Sequence, residues 1–103
     1  MPFPPKQDHR ITLAAAAALT KAHRANAGKE IKGEMWPRDV FETLLAQPGC
    51  AGIRIYHGRG TDGAKHMVMV SVDSTGADIT SGAIMEMGMP CPPFCDATSP
   101  LQT

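Results

Sequence analysis

Residues 85–95 read Met-Glu-Met-Gly-Met-Pro-Cys-Pro-Pro-Phe-Cys, so sulfur recurs at every second position from Met85 to Cys91 and returns at Cys95. Side chains alternate across an extended strand, which would place Met85, Met87, Met89 and Cys91 on one face. Thioethers and a thiolate select soft ions, and such a face would suit Cu(I), with Met67 and Met69 joining it if a neighbouring strand lies alongside. The bland alternative is an amphipathic strand: methionine is an adaptable core filler, and Glu86 and Gly88 take the other face. The expectation from sequence is packing first and copper second.

Cys91 and Cys95 are spaced C-x-x-x-C, one residue longer than a zinc knuckle, and the third cysteine, Cys50, stands far from them. A structural zinc site would therefore need two further ligands, and His57 and His66 are the candidates, closing a tetrahedron at about 2.0 to 2.3 Å. A disulfide is the other outcome. An extended chain would hold the two Cα atoms about 13 Å apart, beyond the roughly 4.4 to 6.8 Å a disulfide accepts, so Pro92 and Pro93 would have to form a tight turn. An odd number of cysteines, without an apolar leader, reads more readily as reduced thiols than as a disulfide framework. Cys50 reads as a small buried hydrophobe.

The elements that must position these residues follow from periodicity. Pro2, Pro4 and Pro5 make residues 1–10 an extended arm. Thr12 is placed as an N-cap, Ile11 and Ala16 as a hydrophobic staple, and Gly28 as the stop of a helix over Leu13 to Asn26. Its alanine run, Ala14 to Ala18, buries little area, so Leu13 and Leu19 are expected to anchor it against its neighbour. A polar link from Lys29 to Glu34 leads to a second helix that starts at Pro37, carries a stripe of Val40, Phe41, Leu44 and Leu45, and ends at Pro48-Gly49.

From Gly52 the period becomes two, and a hairpin is expected with its turn at Gly58 to Gly63 and its second strand over His66 to Val72. Matching Ile53 and Ile55 to the valine face sets Ile53 opposite Val70, Ile55 opposite Val68 and His57 opposite His66, with the two imidazole Cβ atoms about 5 Å apart. Ala83 to Met89 supplies a third strand. The fold class is α+β: two N-terminal helices packed on a small, mainly antiparallel sheet of three or more strands, followed by a C-terminal loop, with residues 11–103 as one domain.

Ten basic residues balance ten acidic ones in 103 residues, which removes the net field that would gather nucleic acid or hold an anionic membrane surface. No apolar run approaches the roughly 20 residues that span a bilayer, and a Pro-rich polar N-terminus is unlike an export signal, so the expected location is cytoplasmic. Three blocks, LAQPGCAGIRIYHG, VSVDSTGAD and a C-terminal CPPFC, resemble those of a set of small uncharacterised bacterial proteins. The resemblance covers roughly residues 40 to 95. It implies a self-contained domain and transfers no catalytic or binding residue.

Catalytic motifs are not supported. Gly58-x-Gly60-x-x-Gly63 has the glycine spacing of a dinucleotide fingerprint but joins two strands where the fingerprint needs a helix. Asp73 and Asp78 flank a glycine turn without calcium-loop spacing, and Ser71 and Ser74 lack a strained elbow. The reading is a non-enzymatic interaction or structural module without cofactor. The rival is a small metal-binding protein, for zinc or less readily Cu(I), or a thiol-redox protein. A central strand with valines on one face and Met67 and Met69 on the other asks for cover on both sides. A homo-oligomer with Met67, Met69, Met85 and Met87 near its contact is therefore expected.

Overall fold

The computed structural model describes residues 6–103; the expected arm prolines Pro2, Pro4 and Pro5 lie outside the described residues. Two helices and five short strands follow in the order α1 (Leu13–Asn26), β1 (Gly33–Met35), α2 (Arg38–Leu45), β2 (Cys50–Arg59), β3 (Lys65–Asp73), β4 (Ile84–Met85) and β5 (Met89–Cys91). The α+β class stands. The described residues fall into two compact units, one of Lys6–Met35 with Met89–Thr103 and one of Trp36–Gly88.

In the first unit α1 begins as its sequence dictates. Thr12 is extended, its hydroxyl accepts the Ala15 N–H at 3.1 Å, and Gly28 leaves the helix at φ +61°. Capping thus satisfies an otherwise orphaned donor. The expected anchoring does not occur: no side chain of α1 is buried, and Leu13 and Leu19 are 59% and 67% exposed. The alanine-rich run carries high intrinsic propensity, so the helix forms without burying a large apolar stripe. It is tied instead by its polar C-terminal turn, where the Arg24 guanidinium donates to the carbonyls of Leu101 and Thr103.

The same unit holds a two-stranded antiparallel ladder in which Gly33, Glu34 and Met35 face Cys91, Pro90 and Met89. The Lys32 N–H extends the ladder by donating to the Cys91 carbonyl at 2.6 Å. The link expected over Lys29 to Glu34 therefore contains part of a strand. Pro90 fits because a two-stranded ladder leaves its missing N–H on an open side.

The second unit is a three-stranded antiparallel sheet of order β2-β3-β4 with α2 against it. Leu44, Met69, Val70, Ser71 and Val72 are its buried residues. Four of these are consecutive on β3. A central strand covered on both faces reads as a continuous buried run, not as an alternation. The Ser71 hydroxyl donates to the Leu44 carbonyl at 2.6 Å, satisfying an acceptor in the last turn of α2 and fixing that helix on the Met69 and Ser71 face.

The hairpin register differs by one residue from the expected one. Ile53 faces Ser71, Arg54 faces Val70, Ile55 faces Met69 and Tyr56 faces Val68. The turn decides this. Gly60 N–H donates to Ala64 C=O at 2.9 Å, closing a three-residue loop whose last position, Gly63, has φ +80°. Such loops need a left-handed residue there, and glycine supplies it without strain. Because both faces of β3 are covered, matching isoleucine to valine has little force against that turn.

The third strand also departs from expectation. Only Ile84 and Met85 pair with β3, opposite Val70 and Met69. Met87 then adopts φ +73°, breaking the extended run expected over Ala83 to Met89, and Met89 enters the ladder of the other unit.

Candidate functional site

Arg54 and Tyr56 are two residues apart on β2 and so share one face of the sheet. Both reach Asp78: Arg54 Nη1 donates to Oδ1 and to the Gly76 carbonyl, and the Tyr56 hydroxyl donates to Oδ2. Asp78 is brought there by its bridge to Val72 and by the Ile79 N–H, which donates to the Ser71 carbonyl. The Tyr56 hydroxyl above all, and then Arg54, hold the Asp78 carboxyl below the usual aspartate range against an opposing effect of burial. The bond to Asp78 likewise raises Arg54. With one donor on each carboxylate oxygen, the cluster works as a clamp of the 74–79 turn onto the sheet. In the sequence Asp78 reads only as a turn residue. Its distance along the chain from Arg54 and Tyr56 hides the clamp.

A second polar pair lies near the hairpin loop. His66 Nδ1 and Glu86 Oε1 are 2.7 Å apart, and since a carboxylate accepts, the imidazole Nδ1 carries the proton. Gly60 lies beneath this ring: a Cβ there would come within 3.0 Å of His66 Nε2 and 2.8 Å of Asp62 Oδ1. Both partners of the pair remain partly exposed, the setting in which an ion pair contributes little.

The four expected zinc ligands are not brought together. His57 faces Met67 and His66 faces Gly58, so the one-residue change in register puts the two imidazoles on opposite faces of the hairpin. Cys91 and Cys95 are bonded to each other as a disulfide with a Cα separation of 4.8 Å, which leaves neither a thiolate to offer a metal. The expectation of reduced thiols is corrected at this pair; the free cysteine is Cys50. The turn that the disulfide required is present, with the Phe94 N–H donating to the Pro90 carbonyl at 2.8 Å. Glu34, opposite Pro90 in the ladder, has a buried Oε2 without a hydrogen-bond partner.

The soft-metal face is dispersed as well. Met85 ends β4, the left-handed backbone of Met87 turns the chain, Met89 lies in a different sheet, and the Cys91 sulfur is spent in the disulfide. Among the described residues no group of three or more His, Cys, Asp or Glu is arranged to hold a metal ion. Of the four methionines expected at a contact, Met69 is fully buried within the chain and has no surface to offer, whereas Met87 is 82% exposed. Met67 and Met85 are half-buried.

No family model, curated protein or solved structure matches this chain. No described helix is long and apolar enough to cross a membrane.

Proposed function

We propose that this protein is a non-enzymatic interaction module that associates with itself. The observation that carries the reading is the apolar surface left open on both faces of the sheet of the second unit, where Ile55 on the α2 side and Tyr56 and Ile84 on the other are each about half exposed although that unit's buried apolar core is confined to four side chains. A small core gains by covering such surface with another chain. The polar clusters fit the same reading, because Asp78 ties its own turn to Arg54 and Tyr56 and the His66–Glu86 pair is a surface contact. Light scattering on an eluting peak at about 100 μM should give a multiple of the 11.0 kDa chain mass, and a strict monomer at that concentration refutes the proposal.

The disulfide favours a second reading, in which the Cys91–Cys95 pair cycles between disulfide and dithiol by exchange with an external dithiol. Two electrons and two protons pass to the cysteines as the donor dithiol closes its own bond. A reducing cytoplasm would keep the pair largely as thiols, so the bond favours an oxidising compartment over the cytoplasmic location that composition suggests. Thiol titration of the denatured protein distinguishes the states: one reactive thiol, from Cys50, if the bond persists, and three if the pair is reduced.

A further inference from the structure

β2 lies at the edge of its sheet, and the phase of its hydrogen bonds can be read from the hairpin end. The Gly60 N–H donates to the Ala64 carbonyl, so residues at even spacing from Gly60, namely Gly58, Tyr56, Arg54 and Gly52, turn their main-chain groups toward β3. Ile53, Ile55 and His57 turn theirs outward. Among the described residues no main-chain hydrogen bond reaches these three from the open side. Natural sheet edges are blunted by proline, bulges, inward charges or shortness. β2 is ten residues long, its irregularity is confined to Cys50 and Gly52, and Ile53 to Arg59 contains neither proline nor an acid.

The segment Gly52-Ile53-Arg54-Ile55-Tyr56-His57-Gly58 is balanced about Ile55, with glycine at equal distances on both sides. We propose that a second copy of the chain pairs its β2 antiparallel to this one about a twofold axis at Ile55, joining two three-stranded sheets into one of six strands. This rests on the self-association reading and names its contact. The register follows from charge and from hydrogen-bond phase. An axis at Ile55 brings the outward N–H and C=O groups of Ile55 to those of the second copy's Ile55, and pairs Ile53 with the second copy's His57. It sets Arg54 across from the second copy's Tyr56, a cation facing an aromatic ring, and Arg59 across from the second copy's Ala51. An axis at Arg54 would oppose two guanidinium groups. An axis lying between two residues would pair outward groups with inward ones and leave the amides unmatched. Ile55, 51% exposed, is covered by its own symmetry mate.

Dipolar EPR on the full chain tests this, with Cys50→Ser as background so that a single introduced cysteine carries the nitroxide. Labels at His57→Cys should lie about 15 Å apart across the axis, and labels at Thr61→Cys, in the hairpin loop, about 40 Å apart, from roughly 3.4 Å per residue of antiparallel strand. Ile55→Lys should weaken association at least tenfold while the far-ultraviolet circular-dichroism spectrum at 25 °C stays that of the parent. A dimer with a short Thr61 distance or a long His57 distance, or one unaffected by Ile55→Lys, overturns β2 pairing and leaves self-association standing. A strict monomer at about 100 μM overturns both.

Discussion

Replacing Leu44 by Ala should be among the most damaging single changes in this protein, and its neighbour Leu45 provides the control. Leu44 is fully buried between α2 and the sheet, whereas Leu45, one residue on, is 58% exposed. Both lie in the last turn of the same helix, so Leu→Ala changes helix propensity equally at the two sites. The substitution also retains the Leu44 carbonyl that Ser71 caps, so the loss at position 44 comes from the side chain alone. Emptying a buried leucine site costs about 3 to 5 kcal/mol, the lost transfer energy plus the cavity left behind. The exposed site should cost less than about 1 kcal/mol. At about 4 to 8 °C per kcal/mol for a chain of this size, Leu44→Ala lowers Tm by at least about 12 °C and Leu45→Ala by a few degrees. Urea unfolding followed by far-ultraviolet circular dichroism measures both. Equal losses, within about 0.5 kcal/mol, would refute the placement of α2 against β3.

Three further outcomes follow from the same geometry. Asp78 has a folded pKa below its unfolded one, so its contribution is complete above about pH 5 and is lost as pH falls through the folded value, below about pH 4; the urea midpoint of the parent should therefore drop more between pH 7 and pH 3 than that of Asp78→Asn, and parallel drops would contradict the clamp. Gly82→Ala would place its Cβ on the Gln47 side-chain amide, the far end of a flexible chain that also donates weakly to the Ala83 carbonyl, so a cost of about 1 kcal/mol is expected that largely disappears in a Gln47→Ala background. The disulfide spans a sequence separation of only four residues, and the loop-closure relation then gives about 2 kcal/mol for replacing Cys91 and Cys95 by Ser; calorimetry showing a loss near 10 kcal/mol would point instead to a bound structural metal.

Local chemistry was legible in the sequence wherever one residue type solves one local problem. Thr12 and Gly28 bound α1 because a side-chain acceptor and a left-handed backbone are requirements of helix ends, whatever surrounds them. The existence of α2 and of the two hairpin strands was legible from periodicity, whereas the expected stripe on α2 is covered only at Leu44, with Phe41 and Leu45 left exposed. What required the tertiary structure was everything decided by a competition between distant residues. The loop from Gly60 to Ala64 overrode the matching of isoleucine to valine, and that single-residue change separated His57 from His66 and removed two of the four expected metal ligands. The pairing of β1 with β5 joins residues more than fifty positions apart, and neither strand is long enough to announce itself by alternation. Cys91 and Cys95 are chemically open to thiol, metal or disulfide in one dimension. The turn between them chose the disulfide, because a bond between two sulfurs depends on the distance between two Cα atoms, and that distance is set by the folded backbone.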